Sequence, residues 1–128
     1  MSGFLLHILI AVHTLIAAIS TGALFYLLYA ALKGHSPAKD PILLFALVWP
    51  LANLVILAAN GWTCPMQNWA QDLTGQHAGW VRDIYWIPER WLRIVPWTYS
   101  LGYLAGVLLV FARLAWSRAR AGDVRQRD

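Results

Sequence analysis

The first 32 residues of the chain contain no Asp, Glu, Lys or Arg, and a second charge-free stretch runs from Pro41 to Gln71. A helix crosses a bilayer with about 20 apolar residues, so both gaps are long enough to span. The pattern predicts a helix over about 4–32, a second over about 41–60 and a third over about 97–116. At 1.5 Å per residue the first would be about 43 Å long, more than the ~30 Å of a hydrocarbon core. It must therefore tilt or protrude at one end. Gly34, Ser36 and Pro37 end it, and Lys33, His35, Lys39 and Asp40 make a short polar loop. Pro41 suits the first turn of the second helix, Pro50 predicts a kink in its middle, and Asn60-Gly61 is a stop signal. Gly102 and Gly106 form a Gly-x-x-x-Gly pair in the third helix, a spacing that permits close packing within the chain or between copies. The tail over 117–128 is charged and expected to fray.

Between the second and third helices the pattern changes. The interfacial stretch over 62–96 is too polar to span and too apolar for a plain loop; with Trp97 just past its end it holds Trp62, Trp69, Trp80, Trp86 and Trp91, so that six of the eight tryptophans fall between Trp62 and Trp97. Tryptophan favours the headgroup level, where its ring is buried and its N–H stays wet. Gln67 to Leu73 suits a short helix and Gly75 to Gly79 a turn. From Trp80 onward, Val81, Ile84, Ile87, Trp91 and Ile94 recur at helical spacing, with Arg82, Asp83, Glu89, Arg90 and Arg93 between them. That stripe predicts an amphipathic helix, interrupted at Pro88, lying in the membrane interface. The expected fold is an all-α integral membrane protein: one membrane domain over 1–128, three transmembrane helices and a Trp-rich amphipathic interfacial segment.

Composition agrees with this reading. Of 128 residues, 59% are hydrophobic and 12% charged, against about 25% charged in a soluble domain. The net charge of +4 does not indicate nucleic acid, because Arg113, Arg118, Arg120, Arg125 and Arg127 cluster where a cytoplasmic membrane flank carries its cations. Lys33 and Lys39 fall on the same side, while Arg82, Arg90 and Arg93 fall on the other, offset by Asp72, Asp83 and Glu89. The positive-inside rule then puts the N-terminus and the Trp-rich segment outside and the C-terminus in the cytoplasm. No basic residue precedes the first apolar run and the run is long, so a retained helix is expected rather than a cleaved signal.

Candidate chemistry is sparse. A single cysteine, Cys64, excludes an intramolecular disulfide and a Cys-x-x-Cys site. His13, Asn53, Ser100 and Tyr103 share the outer half of the predicted spans. Facing lipid would be costly, so they should turn inward as a polar cluster, which would act as a small pocket or as interhelical packing. Cys64 and Met66, with His7 and His77 at a similar level, form a soft-ligand set of the kind that selects Cu(I). No histidine lies in the second or third predicted helix, so a bis-histidine haem held by this chain alone is not expected. No cofactor is named by the sequence, and no nucleotide motif, phosphate loop or nucleophile–base pair stands out.

The stretch Gly61-Trp62-Thr63-Cys64-Pro65-Met66 resembles the Gly-Trp-x-Cys-Pro-Leu motif of domain of unknown function 2784, a family of small bacterial inner-membrane proteins. His13 matches that family's first-helix histidine, and Gly79-Trp80-Val81 resembles the Gly-Phe-Ile that opens its amphipathic stretch. The chain departs from the family at Ala70, where the family is acidic, and at Asp83, where it has histidine. The resemblance implies a bacterial inner-membrane location and carries no activity.

The expected function is that of an accessory or assembly subunit that presents the Trp-rich surface to a partner protein, a second copy or lipid. Exposed Trp and Arg are typical of interface hot spots. A metal- or small-ligand-binding protein using Cys64, Met66, His7 and His77, or the His13 pocket, is the alternative, and an enzyme acting on lipid or quinone through His13 is a third reading.

Overall fold

The computed structural model describes residues 2–77, 81–84, 88–91 and 94–125. They form helices α1 (Ser2–Lys33), α2 (Pro41–Ala59), α3 (Pro65–Thr74) and α4 (Val95–Arg125), with a 3-10 turn at Glu89–Trp91 and no strand among the described residues. Three of the helices are long and apolar enough to cross a membrane: Gly3–Lys33, Pro41–Ala59 and Trp97–Gly122. The large side chains on their outer surfaces are apolar, among them Phe4, Leu15, Phe25, Leu44, Val55, Leu101 and Phe111, as a lipid-facing surface requires.

α1 is the central helix. Its small residues Ala23, Ala30 and Ala31 pack with Leu27 against Leu43 and Ala46 of α2 and Val110 of α4. Small side chains let helix backbones approach, which is the main source of packing energy where lipid is as apolar as leucine. The Gly-x-x-x-Gly pair faces inward in the same way. Gly102 lies against Leu24, and Gly106 lies so close to the fully buried Leu27 that a Cβ there would sit 2.8 Å from its Cδ2.

Asp40 caps α2, accepting from the N–H groups of Ile42 and Leu43, as an N-cap carboxylate does. The same carboxyl accepts from Tyr26 Oη at 2.6 Å and contacts His35 Nδ1 at 2.7 Å, fixing the α1–α2 turn. These contacts hold Asp40 down to about 2: first the Tyr26 hydroxyl, then His35, with the N–H groups of Leu43 and Ile42 adding to them against a smaller opposing effect of burial. Deeper in the bundle, Trp49 Nε1 donates to Ser20 Oγ at 2.9 Å, Tyr99 Oη donates to Ser20 O, and Tyr103 Oη donates to Leu47 O at 2.8 Å. The last acceptor is one residue from the carbonyl that Pro50 frees by lacking an N–H.

The register of these contacts shows how the helices are staggered. Trp49 meets Ser20 and Asp40 meets Tyr26, so α2 runs antiparallel to α1. Tyr99 meets Ser20, Gly102 meets Leu24, Gly106 meets Leu27 and Arg113 meets Gly34, so α4 runs parallel to α1 with a constant offset of 78 or 79 positions. α4 therefore begins level with residue 16 or 17 of α1. The first four turns of α1 have no α4 beside them. α3 packs there instead, with Ala70 and Val81 against Leu9, and Leu6, Met66 and Leu73 around them.

Three expectations change. The short helix is longer than Gln67 to Leu73, because Pro65 starts it and Gly75, in the left-handed region at φ 69°, ends it. The tail does not fray at residue 117; α4 continues to Arg125. The amphipathic helix from Trp80 is not formed at 81–84, where the described chain is non-helical. There the Gln67 side chain binds the backbone of Val81 on both sides: Val81 N–H donates to Oε1 at 2.8 Å, and Nε2 donates to Val81 O at 2.8 Å. The Val81 carbonyl that a helix would use internally is taken, and the Val81 N–H is held on α3 as well. Trp80, Trp86 and Arg93 lie outside the described residues.

Candidate functional site

Three segments converge above the start of α4. The first is α1, which carries His13 about one turn, ~5 Å, beyond the level where α4 begins. The second is the turn after α2. Asn60 Nδ2 donates to Thr63 O at 2.8 Å and Trp62 N–H donates to Leu57 O at 2.8 Å. Gly61 and Trp62 both take positive φ, 65° and 63°. For tryptophan this backbone costs on the order of 1 kcal/mol; it reverses the chain and delivers Cys64 to the head of α3. The third segment is 81–84, in which Val81, Asp83 and Ile84 are buried while Arg82 is exposed.

The result is a Cys–His–Asp array. His13 Nε2 lies 3.7 Å from Cys64 Sγ, and His13 Nδ1 lies 3.0 Å from Asp83 Oδ2. Nδ1 is fully buried and no hydrogen bond is aligned on it, so its contact with Asp83 is one of proximity and charge, short of a well-directed bond. The Asp83 side chain is 5% exposed. A buried carboxyl is costly without partners, and Gln67 Nε2 supplies one at 3.1 Å. Gln67 thus holds both the backbone at Val81 and the carboxyl at Asp83, fixing the third member of the array to α3.

Cys64 occupies the N-cap of a ten-residue helix with Pro65 in the first turn. Burial alone would push its thiol up. The adjacent His13 ring and the N–H groups of Met66 and Gln67 outweigh that effect, and the thiol lies below its ordinary value. A helix N-terminus and a neighbouring histidine are the two surroundings that favour a thiolate. Beside the array, an apolar groove of about 410 Å³ runs between α1 and α3, lined by Leu5, Ile8, Val12, Met66, Trp69 and Leu73 among others. Val12 adjoins His13 in sequence, and Met66 is two residues from Cys64.

The residues singled out in the sequence are distributed differently from their predicted groupings. Of the polar intramembrane cluster, Tyr103 bonds α2 at Leu47 O, Asn53 donates to Trp49 O of its own helix, and His13 turns to Cys64 and Asp83; Ser100 has a partner of its own. Of the soft-ligand set, His7 Nδ1 contacts Gly3 O at 2.7 Å, and His77 is exposed beside Asp72. No group of three or more His, Cys, Asp or Glu that could hold a metal occurs among the described residues. Trp62, Trp69, Trp91 and Trp97 are at least half exposed.

Asp83 and Gln67 escaped the sequence reading. Asp83 looked like one charge among several on an amphipathic helix, and Gln67 like an ordinary helix residue. One signal was the departure at residue 83 itself, a carboxyl where the resembled family has histidine. The length of α1 was a second, since a helix too long for the bilayer carries His13 toward the surface where Cys64 lies. Compared with family models, curated proteins and solved structures, the chain matches none of them.

Proposed function

We propose that this is an inner-membrane protein with its N-terminus outside and its C-terminus in the cytoplasm, carrying a cysteine-dependent acyl-transfer site in the outer leaflet. The observation that supports it is the array itself: a thiol and a carboxyl on opposite nitrogens of one imidazole, at 3.7 and 3.0 Å. This is the logic of a nucleophile, a base and an orienting acid, recognised by geometry and role. Cys64 is the nucleophile, His13 the base, and Asp83 the group that orients His13 and stabilises its cationic form. Gln67 is a positioning residue that acts through Asp83.

The substrate class is a lipid acyl ester whose chain lies in the α1–α3 groove. His13 takes the thiol proton as Cys64 sulfur attacks the ester carbonyl carbon. A C–S bond forms, the ester C–O bond breaks, and His13 returns the proton to the leaving alkoxide oxygen. Water or an acceptor hydroxyl then attacks the thioester carbonyl with His13 again as base, and the thiolate leaves. Pro65 has no N–H, so the residue after the nucleophile cannot stabilise the developing oxyanion as it does in many acyl-transfer sites. The Met66 N–H is the first donor of α3 available for that role.

Intact mass measurement after incubation with a long-chain p-nitrophenyl ester tests the proposal. The wild-type protein should gain one acyl group, removable by hydroxylamine; Cys64→Ala should gain none, and His13→Gln should react at least tenfold more slowly, as loss of a general base requires. An unmodified wild type, or equal acylation of Cys64→Ala, overturns it.

A second reading is favoured by a separate observation. Trp62 and Trp97 are 70% and 74% exposed near the same end of the molecule, a surface suited to an assembly subunit docking a membrane partner or a second copy. Purification in mild detergent tests it: a stoichiometric companion or dimer is expected, and a protein that stays alone and monomeric refutes it.

A further inference from the structure

The opposite end of the bundle carries a second concave site. A cavity of about 500 Å³ opens where α1 ends and α4 continues past it, with Gly34, His35, Arg113, Trp116 and Ser117 among its walls. Gly34 ends α1 in the left-handed region at φ 77°, and the Arg113 guanidinium rests so close that a Cβ on Gly34 would stand 3.2 Å from its terminal nitrogen. Arg113, Trp116, Ser117 and Arg120 follow one another at helical spacing on α4, and the Arg120 guanidinium lies 5.2 Å from the Trp116 ring centre.

The charges at this end are unbalanced. Lys33, Lys39, Arg113, Arg118, Arg120 and Arg125 outnumber the two acidic residues of this end among the described residues, Asp40 and Asp123, and the Asp40 carboxyl is already engaged by Tyr26, His35 and two backbone N–H groups. The ion pairs among the described residues all involve histidine, and none involves Arg113. Arg113 therefore brings a forked, unpaired donor set to the cavity. His35 uses Nδ1 on Asp40 and leaves Nε2, and the Trp116 indole N–H adds a third donor type. The Ser117 hydroxyl is spent on Leu114 O.

We infer that this cavity binds the phosphate of an anionic phospholipid headgroup, with Arg113 as the principal contact. The ligand chemistry follows from the donors: a planar fork suits phosphate oxygens, and no acidic side chain among those lining the cavity opposes an anion. A lipid is favoured over a free anion by where the cavity lies. It opens one residue beyond Lys33, at the end of the apolar spans, and it is flanked by an exposed tryptophan, the residue of the headgroup level. Basic pockets between transmembrane helices at this level recognise anionic headgroups.

The full-length protein, purified in a neutral detergent, tests the site. Its thermal unfolding is followed by tryptophan fluorescence with added dioleoyl phosphatidylglycerol, dioleoyl phosphatidylcholine or inorganic phosphate. The wild type should be stabilised by phosphatidylglycerol and not by phosphatidylcholine. Arg113→Gln should weaken the response about tenfold or more in lipid concentration, the loss of a charge-assisted hydrogen-bond set. Arg113→Lys should fall between, and Arg118→Gln, outside the cavity walls, should respond like wild type. An undiminished response in Arg113→Gln overturns the site. Stabilisation by inorganic phosphate at the same concentrations as the lipid overturns its assignment to a headgroup.

Discussion

The close approach of α4 to α1 makes a sharp prediction through two glycines. In Gly106→Ala the new methyl would stand 2.8 and 2.9 Å from Leu27 Cδ2 and Cγ and 3.4 Å from Leu28 Cδ2. Leu27 is fully buried, and the clash reaches its branch carbon as well as a terminal methyl, so rotation cannot relieve it without displacing the helix pair. Overpacking of this kind costs about 1–3 kcal/mol. In Gly102→Ala the nearest atoms, on the half-buried Leu24, are 3.4 to 4.0 Å away, which is ordinary contact. Replacing glycine by alanine also favours a helix by about 1 kcal/mol, and this gain is common to both variants. The difference between them therefore isolates the steric cost: Gly106→Ala should be about 1–3 kcal/mol less stable than Gly102→Ala, with Gly102→Ala at or slightly above wild type. Unfolding by titrated dodecyl sulfate in mixed micelles, read by far-UV circular dichroism, measures the difference. Equal stability of the two variants would refute the α1–α4 register, and with it the argument that α4 starts below His13.

Three further predictions concern the turn and the array. Alkylation of Cys64 should follow a pH profile whose midpoint lies below the roughly 8.5 of a free cysteine, because the thiol is held low; in His13→Ala the midpoint should rise above the wild-type value, since burial remains and its counterweight is gone, and iodoacetamide kinetics against pH would show an unmoved midpoint if His13 were a bystander. Gln67→Ala should cost about 1–3 kcal/mol by leaving buried backbone groups of Val81 unpaired, and should slow Cys64 alkylation as Asp83 loses its hold on His13; a stability loss with unchanged thiol kinetics would confine Gln67 to the scaffold. Asp40, held down to about 2, has a folded value below its unfolded one, near 3.9. Its contribution to stability is complete above about pH 4 and is lost as pH falls toward 2, so the wild-type melting temperature should drop across that window and the drop should be smaller in Asp40→Asn.

The spans were legible because a bilayer imposes a long, uninterrupted requirement on composition. Two charge-free gaps and a third apolar run sufficed to place α1, α2 and α4 within a few residues. The ends were less legible for definite reasons. α4 runs on to Arg125 because alanines and arginines over residues 112–121 are good helix formers, whereas their charge marked them as a tail. Val81 and Ile84 stand at helical spacing, but a single glutamine 14 positions before Val81 captures the backbone there. No local pattern reports that capture, since it is a tertiary contact that overrides propensity. His13 and Cys64 stand out in the sequence as members of separate groups, because the stagger of the helices that brings them to 3.7 Å is a tertiary feature that no local pattern reports.

The stagger of the helices explains why the array exists at all. A bundle of three flush helices would bury His13 among apolar side chains, where a lone imidazole is costly. Here α4 begins level with residue 16 or 17 of α1, and the vacant side of α1 is covered by α3 and residues 81–84 instead. Those two segments are polar enough to bring a thiol and a carboxyl to the histidine, with an amide holding the carboxyl, and apolar enough to bury Ala70, Val81 and Ile84 beside them. The same stagger pushes α4 beyond α1 at the other end, which is what exposes Arg113 and Trp116 beside Gly34. One offset between two parallel helices thus creates both concave sites, the thiol array at one face and the cationic cavity at the other. A substitution that slid α4 by one turn would be expected to disturb both together, whereas changes at Cys64 or Arg113 should each silence one and spare the other.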